Sequence, residues 1–201
     1  MENEKKNIIE KISKLYHRFG IKSITMDDIA KELYISKKTL YKYFNDKAEI
    51  VEKVVDCIIA DVNNYLVNIE IKKLNAIEEL LWINNQIVKS ISNFNPTMNY
   101  DLKKYYPHLY QKLNDVKRNS LYNYIVQNIE KGKKEGLYRK NLNNEIIAKL
   151  YVFRVEQMFE SDSFSSEELN NPDFFNEIFI YHLRGIANDE GIKYLNNKLN
   201  E

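Results

Sequence analysis

The chain has 201 residues and a formal net charge of +1 at pH 7, which suits one ordinary domain or a small domain joined to a larger one. One cysteine and five glycines argue against a disulfide framework and against a glycine-rich phosphate loop. Residues 1–50 carry 11 basic and 8 acidic side chains, a net +3, whereas the remaining residues carry 19 and 21, a net −2. The small basic excess therefore lies in the N-terminal part of the chain, where it permits DNA binding without requiring it.

The first predicted helix covers the N-terminal residues and ends near Gly20. Its apolar side chains recur at helical spacing, at Ile8, Ile12, Leu15 and Phe19. This spacing predicts one buried face, and glycine is common directly after the end of a helix. We expect this helix to complete a small three-helix core with the two helices that follow.

A second, short helix is predicted directly after Thr25. Its apolar side chains recur at positions i, i+3, i+4 and i+7, namely Met26, Ile29, Ala30 and Leu33. Thr25 precedes this stripe, so its hydroxyl can cap free amide groups of the first turn, and the carboxylates of Asp27 and Asp28 favour the positive end of the helix. The start of this helix is therefore well defined by the sequence.

A third helix is predicted from Lys37 to about Phe44, with Ser36 as its N-cap. Only Leu40 and Phe44 face inward at helical spacing. The exposed surface then carries Lys37, Lys38, Thr39, Lys42 and Tyr43. Two short helices with a tight turn between them, the second basic and aromatic, are typical of a helix-turn-helix whose second helix enters the major groove.

Each of these residues also fits a simpler interpretation when it is taken alone. Lysines on short surface helices are usually just solvated, and Tyr41 or Tyr43 can belong to the core. It is the combination of a capped helix, a short turn and a basic second helix that favours DNA binding. In that interpretation Tyr41 and Lys47 hold phosphates beside the groove.

At these residues the chain resembles the TetR family of bacterial transcription regulators. The family motif is matched by Thr25, Ile29, Ala30, Ile35, Ser36, Thr39, Leu40, Tyr41, Tyr43, Phe44 and Lys47. The resemblance implies that the DNA backbone is contacted by Thr25, Thr39, Tyr41 and Lys47. It implies that the bases are contacted by Lys37, Lys38, Lys42 and Tyr43.

Two residues depart from the family pattern. Tyr34 stands where these proteins often have glycine, and a left-handed backbone there would cost a non-glycine residue about 1–2 kcal/mol if the turn keeps that conformation. Lys38 stands where many members have a small residue, so an additional long cation lies where the helix approaches the duplex most closely. The resemblance therefore does not predict which bases this chain prefers.

The sequence beyond Lys47 predicts further helices and no strand. Apolar spacing from Ile50 to Val62, without glycine or proline, predicts one long helix that leaves the DNA-binding segment. Further stripes predict helices around 77–91 and over 107–131, 142–159 and 174–183, with breaks at Pro96, at Pro107, at 132–136, at Pro172 and in a polar segment over 161–171. We predict an all-α fold, with a three-helix helix-turn-helix domain over 1–46 and a larger helical ligand-binding and dimerisation domain over 47–201.

The resemblance also implies that the last two long helices pair with those of a second chain and that other helices enclose a small-molecule pocket. Candidate interface residues are Ile146, Ile147, Leu150 and Phe153 on one helix and Phe175, Ile178, Phe179 and Leu183 on the next. Candidate pocket residues are Trp82, Phe94, Tyr100, Tyr105, Tyr122 and Phe153, whose rings favour an apolar or aromatic effector. Each of these side chains equally suits the core of a monomer.

The predicted function is that of a non-enzymatic homodimer that binds a double-stranded DNA operator and is released by a small-molecule effector. A repressor is the family default, and an activator of the same fold is one alternative. The other alternative is a helical protein-interaction adaptor, which lacks the salt-dependent DNA affinity of a DNA-binding protein.

The sequence predicts no metal site, no cofactor site and no membrane-spanning segment. The histidines are scattered and Cys57 is isolated on an apolar helix face, so neither a metal site nor a catalytic group is indicated. The N-terminus is charged, and no apolar run approaches the ~18 residues of a membrane span. We therefore expect a cytoplasmic chain with no membrane partner and no cofactor.

Overall fold

The computed structural model describes residues 2–70, 72–91, 96–160, 164–169 and 171–200. Every regular element within these ranges is a helix, which confirms the predicted all-α class. In chain order the helices are α1 (Glu2–Phe19), α2 (Met26–Glu32), α3 (Lys37–Tyr43), α4 (Lys47–Glu70), α5 (Ala76–Ile91), α6 (Pro96–Tyr105), α7 (Pro107–Lys134), α8 (Asn144–Glu160), α9 (Ser166–Leu169), α10 (Pro172–Ile186) and α11 (Asp189–Leu199). Tyr138 and Ala187 form an isolated antiparallel bridge.

The chain forms two compact units. Unit 1 comprises residues 1–64 and 94–117, and unit 2 comprises residues 65–93 and 118–201. The division passes through α4 and α7, so each of these helices belongs partly to both units. Unit 1 contains the whole segment 1–46 that the sequence assigns to DNA binding, together with part of the segment assigned to regulation.

The core of unit 1 joins the helix-turn-helix to α1, α4, α6 and α7. Its fully buried side chains include Ile12, Tyr16, Ile29, Leu40, Phe44, Ile50 and Leu102. Gly20 ends α1 with a φ of +81°, and a Cβ at this position would lie 2.6 Å from Cγ2 of Thr97 in α6. The predicted end of α1 therefore depends both on the left-handed backbone and on the close approach of α6.

The core of unit 2 is formed mainly by α5, α7, α8, α10 and α11. Its fully buried side chains include Ile77, Leu80, Ile125, Ile129, Leu183 and Leu195. Pro96 and Pro172, at which the sequence predicts breaks between helices, begin α6 and α10. Proline suits the first turn of a helix because the N–H that it lacks would have no partner inside the helix.

The structure separates the candidate interface residues into buried and exposed side chains. Phe175, Phe179 and Leu183 on α10 are buried within unit 2, so they belong to the interior of a single chain. Leu150 and Phe153 on α8 are 58% and 61% exposed. Their assignment to an interface stays a prediction.

Candidate nucleic-acid interface

The start of α2 is fixed by a reciprocal cap. The amide of Asp28 donates to Oγ1 of Thr25 at 3.2 Å, and the amide of Thr25 donates to Oδ2 of Asp28 at 2.8 Å. The hydroxyl and amide of Thr25 both donate to the carboxylate, and they lower the pKa of Asp28. The two hydrogen bonds that the amides donate together form a capping box, and the bond to the hydroxyl of Thr25 is the cap that the sequence predicts. Thr25 is exposed, so its side chain lies at the protein surface at the positive end of α2.

The turn between α2 and α3 contains the left-handed residue anticipated at Tyr34. Tyr34 has a φ of +55°, and the amide of the next residue, Ile35, donates to the carbonyl of Ala30 at 3.0 Å. The ring of Tyr34 is 96% exposed, so packing does not compensate for the backbone cost. The turn keeps the conformation that a glycine would adopt without strain.

Helix α3 presents most of its surface to solvent. Oγ of Ser36 accepts the amide of Thr39 at 3.0 Å and caps the helix as predicted. Leu40 is the buried residue of α3, and it anchors the helix in the core of unit 1. One buried side chain and one cap therefore fix α3, while most of its remaining side chains lie at the surface.

The lysines of α3 differ in their surroundings. Nζ of Lys37 lies 2.9 Å from a carboxylate oxygen of Asp27 in α2, and this contact raises the pKa of Lys37. Lys38 and Lys42 are exposed, and no carboxylate of the described residues lies within 4.0 Å of either ammonium group. Lys38 and Lys42 are therefore the cations of α3 that an anionic partner can meet without displacing a carboxylate.

The two tyrosines of α3 also differ. Tyr41 is 46% exposed and lies on the surface beside Lys42. Tyr43 is half-buried, with its ring centroid 6.4 Å from that of Phe44. A hydrogen bond with Glu4 of α1 raises the pKa of the Tyr43 hydroxyl. Tyr43 is therefore partly a core residue and partly a surface residue, which the sequence alone leaves as alternatives.

Lys47 lies at the first position of α4, next to the connection between α1 and α2. Its Nζ donates to the carbonyl of Lys22 at 3.4 Å. Desolvation lowers the pKa of Lys47, while the carboxylates of Asp101 and Asp28 favour its charged form. The connection from α3 to α4 is fixed by Asp46, whose carboxylate accepts the amide of Glu49 at 2.8 Å.

A basic residue outside the family motif, Lys22, lies beside Lys47. Lys22 precedes α2, and its Nζ lies 5.3 Å from the ring centroid of Tyr105 in α6. The motif gave no signal for this contact, because Tyr105 follows Lys22 by more than eighty residues. Only the fold brings the two side chains together.

The predicted pocket residues are distributed over both units. Trp82 and Tyr122 are half-buried against the core of unit 2, whereas Tyr100 and Tyr105 are exposed residues of unit 1. Phe94 lies outside the described residues. The pocket assignment of Trp82 and Tyr122 stays a prediction.

One cavity of unit 2 includes a predicted pocket residue, Phe153. It has a volume of about 520 Å³ and is lined by Phe153, Arg154, Gln157, Met158, Phe164, Glu177, Ile178 and Tyr181. A second cavity, of about 610 Å³, has a more charged lining that includes Glu130, Lys131, Lys134 and Glu135. The first cavity therefore suits an apolar ligand better than the second.

Among the described residues, no group of three or more histidine, cysteine or acidic side chains is placed to hold a metal ion. No described helix is long and apolar enough to cross a membrane.

Comparison with known proteins connects this geometry to one family. Residues 8–54 match the family model described as bacterial regulatory proteins, tetR family. The HTH-type transcriptional regulator YvaF of Bacillus subtilis (strain 168) is 25% identical over 186 residues, covering 92% of this chain and 96% of that protein. IcaR of Staphylococcus aureus (strain Newman), a negative transcriptional regulator of the biofilm operon icaADBC, is 34% identical over 76 residues, covering 38% of this chain and 41% of IcaR.

A solved structure supports the fold over nearly the whole chain. A TetR-family transcriptional regulator from Agrobacterium tumefaciens superposes with a TM-score of 0.70 at 16% sequence identity, covering 93% of this chain and 99% of that one. At this identity the similarity establishes the fold alone. Residues 8–54, which match the family model, contain α2 and α3 together with every residue that the sequence predicts to contact DNA.

Proposed function

Because this chain belongs to the TetR family of bacterial transcriptional regulators, we propose that it represses transcription by binding an operator as a homodimer, and that a small-molecule effector releases it. The observation that carries the proposal is the surface of α3. Lys38, Tyr41 and Lys42 are exposed on a helix that is fixed by a cap and one core residue. Repression is supported by IcaR, which is a negative regulator.

The residues of the interface take different roles in this proposal. Lys38 and Lys42 contact base edges directly, because no carboxylate of the described residues lies within 4.0 Å of either ammonium group. Lys37 reaches the bases after it exchanges Asp27 for DNA, and Tyr43 contributes the edge of its ring. The DNA backbone is held by Thr25, Thr39, Tyr41 and Lys47. Backbone contacts fix the register of α3, and base contacts supply the sequence preference.

A DNA-binding titration tests the proposal. Fluorescence anisotropy with a duplex from directly upstream of the coding region, at several salt concentrations, should show an affinity that falls by roughly 0.9 log units per phosphate contact for each tenfold rise in salt. Lys38→Gln and Lys42→Gln should each weaken binding by about 1–3 kcal/mol. Lys193→Gln, which removes an exposed lysine of unit 2, is the control and should bind as the wild type does.

The outcome also separates the two classes of function. Binding that is absent at low salt for the upstream duplex, and absent again for duplexes drawn from a random pool, would support a protein-interaction adaptor. Equal effects of all three substitutions would show that α3 has no special role in the complex.

The proposed partner chain is a second copy, paired through an exposed apolar strip of unit 2. Ile146, Leu150 and Phe153 follow one another along α8, and Tyr181 of α10 is 77% exposed. Large apolar side chains exposed in a contiguous patch commonly mark an interface. A two-fold dimer would present two copies of α3 to half-sites about 34–36 Å apart, or a multiple of that distance.

Sedimentation tests the pairing. The wild type should sediment as a dimer at micromolar concentration, and Leu150→Asp should shift it toward the monomer. Lys149→Asp places the same charge on the neighbouring exposed residue of α8 and should leave the dimer intact. A wild-type monomer would contradict this part of the proposal.

The proposed effector site is the cavity lined by Phe153, Arg154 and Tyr181. Its walls are mostly apolar or aromatic, and Arg154 is the residue that can hold an acidic or carbonyl group of the ligand. Phe153 and Tyr181 also belong to the exposed strip, so the ligand and the second chain would share a surface. The effector class is therefore an apolar or aromatic molecule, and an acidic group on it would add a charge-assisted contact.

Release follows if effector and DNA favour different arrangements of the dimer. Helices α4 and α7 run through both units, so a change in unit 2 has two continuous helical connections to unit 1. Coupling of this kind is typically ~1–3 kcal/mol, which changes affinity by roughly 5- to 150-fold in both directions. Trp82 is the one tryptophan of the chain, and its fluorescence reports binding in unit 2. A ligand that changes this fluorescence and leaves DNA affinity unchanged would contradict the release mechanism.

A further inference from the structure

The exposed charged surface of α6 is wholly positive. Its ten residues contain one acidic side chain, Asp101, and this residue is buried at 4% exposure. Lys103 and Lys104 are both exposed at its C-terminal end. Helix α6 therefore gives unit 1 a basic surface outside the helix-turn-helix motif.

Two cations share one aromatic ring on this surface. The ring centroid of Tyr105 lies 5.3 Å from Nζ of Lys22 and 5.4 Å from Nζ of Lys104. Nζ of Lys104 also donates to the hydroxyl of Tyr100 at 3.0 Å. Contact with a ring holds an ammonium group without neutralising its charge. We call Lys22, Tyr100, Lys104 and Tyr105 the α6 cluster.

Neither ammonium group of the α6 cluster is neutralised by a neighbour. No carboxylate of the described part of the chain lies within 4.0 Å of Nζ of Lys22 or of Lys104. A hydrogen bond between Lys22 and Tyr105 raises the pKa of Lys22 and lowers that of the tyrosine. Both lysines therefore carry a full positive charge at neutral pH.

The α6 cluster is continuous with the residues proposed to hold DNA phosphates. Lys47 donates to the carbonyl of Lys22 at 3.4 Å, and Thr25 follows Lys22 by three residues. The position of Lys22 is itself fixed by α6, because its amide donates to Oδ2 of the buried Asp101 at 2.7 Å. Gly20 permits this close approach, since a Cβ there would lie 3.0 Å from the same carboxylate oxygen.

We propose that the α6 cluster is a second phosphate-binding surface, at which Lys22 and Lys104 hold the DNA backbone beside the segment that α3 contacts. The proposal rests on the DNA-binding function proposed above and extends the interface beyond the helix-turn-helix. Tyr105 keeps the two ammonium groups together, and Asp101 acts as a positioning residue through the backbone of Lys22. Duplex DNA is the partner because the charge is complementary and the surface adjoins Thr25 and Lys47.

The experiment compares two double variants on the same DNA. The probe is a labelled duplex enriched from a random-sequence pool by the wild-type chain, and affinity is measured by anisotropy across a range of salt concentrations. Lys22→Gln with Lys104→Gln removes the two charges of the α6 cluster. Lys53→Gln with Lys112→Gln removes two charges that lie 3.5 Å and 2.8 Å from the carboxylate of Asp56, also in unit 1. Circular dichroism confirms that both variants are folded.

The expected result is a change in the salt dependence of one variant only. Losing two phosphate contacts should reduce the slope of log K against log salt by about 1.8, since each contact contributes about 0.9. The enriched sequence should stay the same, because phosphate contacts carry no sequence information. Tyr105→Ala should reduce the slope in the same direction, and Tyr105→Phe, which keeps the ring, should not.

Each other outcome overturns the inference in an identifiable way. An unchanged slope for the Lys22 and Lys104 variant, with wild-type binding intact, rejects the α6 cluster and leaves the proposed function standing. Equal reductions for both double variants show a general effect of net charge and also reject it. If the wild type enriches no duplex and binds none at low salt, the inference and the proposed function fail together.

Discussion

The polar side chains of unit 1 and unit 2 differ in how far along the chain their hydrogen-bond partners lie. In unit 1 the caps of α2 and α3 each join residues three positions apart, such as Ser36 with Thr39. In unit 2 the buried Glu79 accepts hydrogen bonds from Asn128, forty-nine residues later, and from Lys131, fifty-two residues later. Helices α2 and α3 of unit 1 are thus capped by local contacts, whereas the interior of unit 2 is held together by contacts between helices distant in sequence.

The difference has an energetic consequence. A cap at the surface satisfies an amide that water could also reach, so its loss costs little. A buried carboxylate that loses its partners, or leaves them behind unpaired, costs considerably more. We therefore expect the largest effects of single substitutions in unit 2 and smaller ones at the caps and turns of unit 1.

The largest expected effect is that of Glu79→Ala. The Glu79 side chain is 9% exposed, and its removal leaves Lys131, Asn128 and Tyr124 without their shared acceptor. Because Lys131 is partly exposed, we expect a loss of about 2–4 kcal/mol, toward the lower end of the range for buried pairs. Urea unfolding followed by Trp82 fluorescence measures it. Glu130→Ala, which removes an exposed partner of Lys134 on α7, is the control and should cost under about 1 kcal/mol.

The pH dependence of unit 2 is the next largest effect. Burial, together with the nearby charge of Arg154, lowers the pKa of His182 to about 3, and its ring packs against Tyr151 at 4.5 Å between centroids. The unfolded chain binds this proton near pH 6.5 and the folded chain does not, so stability is lost as the pH falls below 6.5. Between pH 6.5 and pH 5 the loss from His182 should be about 1–2 kcal/mol.

Urea unfolding at several pH values separates this contribution from that of the other groups. His182→Gln removes the titrating group, so its stability should fall less over the same interval. A wild type and a variant with the same pH dependence would show that His182 binds a proton in the folded state.

A smaller effect is expected at the cap of α3. Ser36→Ala removes the acceptor of the Thr39 amide and should cost about 1 kcal/mol of stability in unit 1. Ser36→Asn restores a side-chain acceptor and should recover most of the loss. Far-ultraviolet circular dichroism during urea unfolding, together with the DNA affinity, checks both variants. A loss of stability as large as that of Glu79→Ala would contradict the expectation that caps in unit 1 contribute less than buried polar groups in unit 2.

The smallest expected effect concerns the non-glycine residues that adopt a left-handed backbone within the described ranges. Tyr34 in unit 1 and Lys73 in unit 2 have φ values of +55° and +51°. Substitution by glycine removes about 1–2 kcal/mol of backbone strain. It also destabilises the fold by about 0.5–1 kcal/mol, because glycine gives the unfolded chain more conformational entropy. Tyr34→Gly and Lys73→Gly should therefore each raise stability by up to about 1 kcal/mol. Calorimetry measures the change, and a decrease at either position would show that its side chain contributes to packing.

The sequence was most informative where structure depends on near neighbours. The cap at Thr25, the cap at Ser36 and the end of α1 at Gly20 were all predicted and are confirmed. Each of them involves residues within a few positions of one another. The long helices α4, α5, α7, α8 and α10 were also predicted, because apolar spacing of 3.6 residues persists over several turns.

The sequence was least informative where distant segments meet. The sequence predicts neither α6, which begins at Pro96 where a break is expected, nor α11, whose apolar stripe is short. The contact of Lys22 with Tyr105 and the bond from its amide to Asp101 join segments about eighty residues apart. Periodicity within one segment cannot reveal such pairs. The sequence leaves Phe175, Phe179 and Leu183 open between an interface and the core of a monomer, because a helical stripe does not state whether its partner is the same chain or another. The structure buries them in the core.

The most direct test of the central claim is a change in sequence preference rather than in affinity alone. Duplexes are enriched from a random pool by the wild type, by Lys38→Gln and by Lys47→Gln, and the enriched sequences are compared. If α3 contacts bases, Lys38→Gln should alter the preferred base at one position of each half-site, while Lys47→Gln should keep the wild-type sequence with lower affinity. The same sequence from all three proteins, or no enrichment by the wild type, would contradict the claim that α3 recognises DNA.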